Sequence, residues 1–336
     1  MSKKRIVVIC PGRGSYTRET NNYFKQFGKL AKKEIKWMDE QREDKGRLSL
    51  TKLDSQNFRA RTHMIGENAS TLIYACSLID FLSIDKNKYE VVSILGNSMG
   101  WYTALALSQA ISIENGFDLI DTMGSMMKND LIGAQMIYPI TKDNWQKDQK
   151  AIEVVLSEVH QAGAHISIEL GGYVVIGGEK STIQKLSKKL PVKEKYPLII
   201  PYHAAFHTPL LESISRSAFK MIDSSIFKKP SIPLIDGRGK IWSPYSSDPI
   251  DIMEYTLDHQ VQNTFDFTSS VAVALKEYSP DKVLLLGPGN SLGGPVGQIL
   301  IENKWLGLES KEDFSNYQKV DPFVLSMGII DQRKML

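Results

Sequence analysis

The sequence predicts a mixed α/β fold: a parallel sheet wrapped by helices, with a smaller α+β unit inserted in it. Two observations carry this. Continuous β-branched runs end directly in glycine turns that lead into helical patterns, and past position 133 short strand and helix patterns follow one another closely. The first run, Ile6-Val7-Val8-Ile9-Cys10, ends in Pro11-Gly12-Arg13-Gly14. An unbroken apolar strand of this kind is buried on both faces, as in a parallel sheet. Residues 20–38 are helical in pattern. Residues 40–62 are polar and read as a surface loop or a short helix. Asn68 to Leu82 reads as a buried helix, with Ala69, Leu72, Ala75, Cys76 and Ile79 at helical spacing.

Tyr89 to Leu95 is the next strand. Gly96-Asn97-Ser98-Met99-Gly100 follows at once, and Trp101 to Ala110 is helical and rich in Ala and Leu. Strand, tight turn and helix in that order form a βα unit. From Gly133 the texture changes. Ala134 to Tyr138 is a strand, 143–162 a charged amphipathic helix, Ile166–Glu169 and Tyr173–Ile176 a hairpin about Gly171-Gly172, Ser181–Leu190 a helix and Leu198–Ile200 a strand. That βαββαβ order predicts a ferredoxin-like insert. The expected division is 1–132 with 201–336 as the large α/β-hydrolase-like, parallel-sheet part, and 133–200 as the insert. Ile232 to Ile235 and Lys282 to Leu286 resume the larger pattern, the latter ending in Gly287-Pro288-Gly289. Residues 302–336 read as a polar tail with an apolar patch at Phe323-Val324-Leu325.

Composition narrows the function classes. In 336 residues, Lys+Arg number 41 and Asp+Glu 38, a net charge of +3. That excess is too small to indicate nucleic acid as a partner. Hydrophobic residues at 42% exclude global disorder. The two cysteines, Cys10 and Cys76, lie in apolar runs and fit a reducing cytoplasm rather than a disulfide framework. The apolar run after the basic N-terminus is too short for a signal peptide, and no stretch approaches the ~18 residues of a membrane span. Neither a metal-ligand spacing nor a dinucleotide-binding glycine motif is present: Thr17 stands where G-x-G-x-x-G needs its last glycine.

Gly96 to Gly100 fits G-x-S-x-G in the strand–turn–helix context that a nucleophilic serine requires. The glycines permit a sharp turn that lifts the Ser98 hydroxyl, and the Met99 N–H at the helix start can stabilise an oxyanion. A base is needed. Of six histidines, His63, His160, His165 and His259 read as surface residues, whereas His203 and His207 lie in Tyr202-His203-Ala204-Ala205-Phe206-His207-Thr208-Pro209, just past an apolar strand. The pattern alone does not choose between these two.

These residues resemble the malonyl-CoA:acyl-carrier-protein transacylase family, which includes the acyltransferase domains of polyketide synthases. Pro11 to Ser15 resembles its PGQGSQ turn, Gly96 to Gly100 its GHSxG elbow, Val174 to Gly178 its QVVIAG hairpin, Ala205 to Leu211 its AFHSPLM segment, and Leu286 to Leu292 its GPGxxL turn. The resemblance implies a ping-pong acyl transfer, with Ser98 as nucleophile and His207 as base. It implies an oxyanion hole from the backbone N–H groups of Arg13 and Met99, and a backbone carbonyl near Gln260 orienting the histidine. Acyl-CoA and an acyl-carrier protein are the implied substrates, with no permanently bound cofactor, no nucleic acid and no membrane.

Three departures bear on the acyl pocket. The elbow histidine of the family is Asn97, the glutamate after it is Trp101, and the arginine that pairs with the malonyl carboxylate aligns with Met123. A thioether cannot pair with a carboxylate, so an uncharged short acyl group is the expected substrate, with Phe206 crowding α-branched chains; Arg13 is the cation able to substitute. The lost arginine also suits acyl hydrolases that resemble this pattern and clear carrier proteins in polyketide pathways, and a scaffold that only binds carrier protein. A lipase-type α/β-hydrolase with His259 as its histidine lacks the required glycine-rich oxyanion loop. Lys180, Lys185, Lys188, Lys189, Lys193 and Lys195 form a candidate docking face for an acidic carrier protein.

Overall fold

The computed structural model describes residues 2–128 and 130–336; Met1 and Asn129 lie outside the described residues. In chain order the strands are β1 (Lys4–Cys10), β2 (Tyr89–Gly96), β3 (Ala134–Pro139), β4 (His165–Leu170), β5 (Tyr173–Gly178), β6 (Leu198–Ile199), β7 (Leu234–Ile235), β8 (Ile241–Trp242), β9 (Phe265–Asp266), β10 (Lys282–Leu285) and β11 (Val324–Ser326). The helices used below are α1 (Gly66–Leu82), α2 (Gly100–Leu107), α3 (Ile113–Ser125), α4 (Gln149–Ala162), α5 (Lys180–Lys189) and α6 (Glu212–Met221).

The first sheet has the order β11-β10-β1-β2-β7-β8. β1 pairs in parallel with both β2 and β10, β11 and β7 continue the parallel pairing outward, and only β8 is antiparallel. Ile6 to Cys10 are all buried, as a strand covered on both faces demands. The register sets Cys10 opposite Gly96, so the turns after β1 and β2 meet at the carboxyl edge of the sheet. In open parallel sheets that edge, where connections diverge to either side, is the ligand crevice. α1 is buried along its run from Glu67 to Asp80, its polar side chains included.

The second sheet has the order β6-β3-β5-β4-β9. β3 to β6 pair antiparallel and interleave with α4 and α5 in βαββαβ order. They hold a core of their own that includes Met136, Tyr138, Val155, Ile176, Ile183 and Leu186. β9 adds to β4 in parallel. It comes from residues beyond 200, so this sheet draws on chain outside the expected insert.

Two expectations need correction. Residues 302–336 are no tail: Val324 to Ser326 are buried as edge strand β11, and Arg333 reaches the main core. Its guanidinium donates to Asp80 Oδ1 at 2.7 Å, while Asp80 Oδ2 accepts from Tyr23 OH at 2.7 Å and from Gly287 N at 2.6 Å. Residues 40–62 include the end of a helix, Lys32–Asp44, and a second helix, Leu50–Ser55. Within them Arg42 is fully buried and donates to the carbonyls of Leu48 and Glu67. A charged composition hid a guanidinium whose protons are taken up by these carbonyls and by the side chains of Thr71 and Asn68. Among the described residues no helix is long and apolar enough to cross a membrane.

Replacing Arg333 by alanine leaves the fully buried Asp80 carboxylate without its cation. Losing one partner of a buried pair costs about 3 kcal/mol or more. Urea unfolding of Arg333→Ala is expected to show a midpoint lowered accordingly with an unchanged slope.

Candidate active site

Ser98 is held by backbone geometry. β2 ends at Gly96, α2 begins at Gly100, and between them Ser98 adopts φ +55°. A non-glycine residue rarely stays in the left-handed region unless its surroundings enforce it. Here they do: a Cβ on Gly96 would lie 2.1 Å from the carbonyl carbon of Gly100, and one on Gly100 would lie 2.3 Å from the Cys10 carbonyl oxygen. Only glycine at both positions lets the chain double back tightly enough to present the hydroxyl.

His207 meets it from the other side of the crevice. Its Nε2 lies 2.7 Å from Ser98 Oγ. Its Nδ1 lies 2.5 Å from the carbonyl oxygen of Gln260, and its own N–H donates to the Val261 carbonyl at 3.0 Å. A carbonyl only accepts, so Nδ1 carries the ring hydrogen and Nε2 is left with a lone pair toward the serine. His207 also has a positive φ, +56°. Burial is the main influence on the ring and lowers its pKa to about 4, with the Gln260 carbonyl acting in the opposite direction. At neutral pH the imidazole is therefore the free base.

The Gln260 side chain adds a second tie. Its Nε2 donates to the Ser98 carbonyl at 3.1 Å, and its Oε1 accepts from the buried Tyr102 hydroxyl at 2.9 Å. One residue thus holds the base through its backbone and the elbow through its side chain. A run of π-helix, Tyr255–His259, leads directly into it, a wide turn that recurs at functional sites.

A cavity of about 540 Å³ opens above the pair. Arg13, Asn97, Ser98, Met99, Met123, Phe206, His207 and Gln260 all border it; Trp101 does not, being fully buried with its indole N–H on Thr256. Arg13 Nη2 donates to the carbonyls of Met64 and Tyr202 at 3.0 and 2.8 Å, and the guanidinium lies 5.2 Å over the Phe206 ring. Burial lowers its pKa to about 10, still cationic at neutral pH. His203, the other candidate base, is turned elsewhere: its Nδ1 lies 2.9 Å from Gln135 Oε1. Gln135 in turn donates to Ser167 Oγ at 2.6 Å, and Ser167 Oγ donates to the Phe206 carbonyl at 2.7 Å. Among the described residues no group of three or more His, Cys, Asp and Glu side chains is placed to hold a metal ion.

No known family model matches the chain. Among curated proteins it is similar to the polyketide biosynthesis acyltransferase homolog PksD of Bacillus subtilis, 24% identical over 208 residues that span 62% of this chain and 60% of that protein. It is similar to malonyl CoA-acyl carrier protein transacylases of Staphylococcus aureus strain COL (20% over 231 residues, 68% of this chain and 72% of that one) and of Buchnera aphidicola (23% over 236 residues, 69% and 73%). Among solved structures, the malonyl-CoA:acyl carrier protein transacylase of Helicobacter pylori superposes with a TM-score of 0.75 at 17% identity, covering 99% of this chain and 97% of that one. The acyl-carrier-protein S-malonyltransferase of Burkholderia pseudomallei gives 0.75 at 18% identity, covering 98% of each.

Curated and structural relatives alike thus point to the malonyl-CoA:acyl-carrier-protein transacylase and polyketide acyltransferase family.

Several features of the site leave no mark in the sequence. The clamp by the Gln260 side chain and Tyr102 has no motif; an apolar helix after an elbow gives no hint that one tyrosine caps a distant amide. The Gln135–Ser167 link from the second sheet to the Phe206 carbonyl joins residues on separate strands. His63, expected on the surface, is buried, with Nε2 3.0 Å from the Leu53 carbonyl and its ring stacked on Phe58. Of the six lysines, Lys189 pairs with Glu158 and Lys193 with Asp148, whereas Lys180, Lys185, Lys188 and Lys195 are exposed.

Two outcomes are expected. The reactive form of His207 is neutral, so Ser98 labelling by a fluorophosphonate should stay level through mildly acidic pH and fall by half only near its pKa of about 4. A midpoint near 6.5, the ordinary histidine value, would contradict this account of the site. Gln260→Ala keeps the backbone carbonyl but orphans the Tyr102 hydroxyl and frees the elbow. It should lower stability by about 1–3 kcal/mol in urea unfolding and slow fluorophosphonate labelling.

Proposed function

We propose that this protein moves an acyl group from a CoA thioester to the phosphopantetheine thiol of an acyl-carrier protein through an ester on Ser98. The observation that carries the reading is the 2.7 Å contact between Ser98 Oγ and a neutral, buried His207 Nε2, set beneath a large cavity. Ser98 Oγ attacks the thioester carbonyl carbon while Nε2 takes its proton. The tetrahedral oxyanion is met by the backbone N–H groups of Arg13 and Met99. Its collapse breaks the C–S bond, and the imidazolium returns the proton to the departing CoA thiolate. The carrier-protein thiol then gives its proton to His207, attacks the ester and leaves as the thioester, restoring the serine.

An uncharged short acyl group fits this cavity better than malonyl. Met123 offers no hydrogen bond; of the cations on the wall, Arg13 spends Nη2 on two carbonyls and keeps its Nε unpaired, and Lys128 pairs with Glu67 at 3.1 Å. A free carboxylate buried there unpaired costs several kcal/mol, and each ~1.4 kcal/mol is tenfold in affinity. Phe206, pinned between Arg13 and His203, narrows the space beside the reacting carbon against α-branched chains. The reading takes 133–200 as an insert forming one wall of the cleft, with exposed Lys180, Lys185, Lys188 and Lys195 facing an acidic carrier protein. It goes with a cytoplasmic protein that holds no permanent cofactor. The curated relatives, named as acyltransferases and transacylases, support the reaction class.

Intact-mass measurement after mixing with acyl-CoAs tests the reading. Acetyl-CoA should label the wild type at least tenfold faster than malonyl-CoA, and Ser98→Ala should not be labelled. Faster labelling by malonyl-CoA overturns the preference. Release of free acid in the presence of carrier protein, without its acylation, makes the protein a hydrolase instead.

A further inference from the structure

One wall of the cavity is an apolar lobe with a buried cluster of its own. Met127, Ala204, Leu211 and Val261 form a separate buried cluster, with Met123, Phe206 and Ile214 packed against it, and all of these but Ala204 line the cavity. We infer that this lobe seats the acyl chain, that it favours unbranched saturated chains longer than acetyl, such as butyryl and hexanoyl, and that Met127 sets the length limit. The inference rests on the acyl-transfer reading above and names its substrate class.

Position comes first. Val261 directly follows Gln260, whose carbonyl holds His207, and Leu211 lies four residues after His207 on the turn that enters α6. The lobe therefore starts beside the reacting pair, where a chain esterified to Ser98 must go. Chemistry comes second. The walls are thioether, isobutyl, sec-butyl, isopropyl and benzyl groups, and the unpaired polar atoms that border the cavity, Arg13 Nε and Asn97 Oδ1, belong to the turns after β1 and β2 and not to this cluster. An acetyl group leaves such walls without contacts, whereas each methylene buried against them is worth about fourfold in binding (~0.8 kcal/mol). Adaptability comes third. Met123 and Met127 are unbranched and polarizable, so the lining can close on chains of more than one length. Phe206 is fixed by a cation on its face and His203 at its edge, so width near the carbonyl stays limited while length does not.

The test compares initial rates of Ser98 acylation by acetyl-, butyryl-, hexanoyl- and octanoyl-CoA, read by intact mass, in the wild type, Met127→Trp and Met127→Ala. Hexanoyl-CoA is expected to label the wild type at least tenfold faster than acetyl-CoA. Met127→Trp should lower the hexanoyl-to-acetyl ratio about tenfold, and Met127→Ala should raise the octanoyl-to-hexanoyl ratio; the alanine variant decides if the tryptophan variant fails to fold. Acetyl-CoA labelling as fast as hexanoyl-CoA, or ratios unmoved in a folded variant, overturns the chain-length inference and leaves acyl transfer standing. Labelling of Ser98 by no acyl-CoA overturns the transfer reading and the inference with it.

Discussion

The site depends on a peptide carbonyl taking the place that a carboxylate holds in many serine enzymes. Gln260 offers a dipole, not a charge, to His207 Nδ1. A carboxylate would stabilise the imidazolium strongly and raise the pKa of the base. A carbonyl fixes the tautomer with far less bias toward the charged form, so burial dominates and the ring stays neutral. The cost falls on the intermediate, in which the imidazolium must be accommodated without a counter-ion. That arrangement suits a thioester, whose thiol leaving group departs more readily than an amine.

Ser98 and His207 both occupy left-handed backbone conformations that a short peptide would not keep. The sheet supplies the restraint for Ser98 through the close approach of β1 and β2, and the segment at 260–261 supplies it for His207 through two hydrogen bonds. Arg13 contributes from the turn after β1, tying the Met64 and Tyr202 carbonyls together across the crevice. Three stretches far apart in the chain are thereby locked to one another before any substrate arrives, which is the preorganisation that electrostatic catalysis requires.

Much of this was legible in the sequence because it is local. The β1 run, the elbow and the βαββαβ order announce themselves through hydrophobic period and glycine placement. His207 became distinguishable from His203 only through resemblance, since both sit in one polar-aromatic loop and nothing in their spacing says which ring turns toward Ser98. What stayed hidden is non-local. Arg42 looked solvated because charge in a sequence does not disclose backbone partners. β11 looked like a tail because a three-residue strand acquires its meaning only when β10 is beside it. The Gln260 side chain and Tyr102 were silent because a polar pair separated by 158 positions leaves no periodic trace.

The loop bearing the imidazole is moored at both ends of a mechanical linkage. On one side Ser167 and Gln135, on the second sheet, grip the Phe206 carbonyl and His203; on the other, Gln260 grips the ring itself and the serine's own peptide. Through these bonds the placement of the imidazole is fixed jointly by the two sheets and not by its own loop.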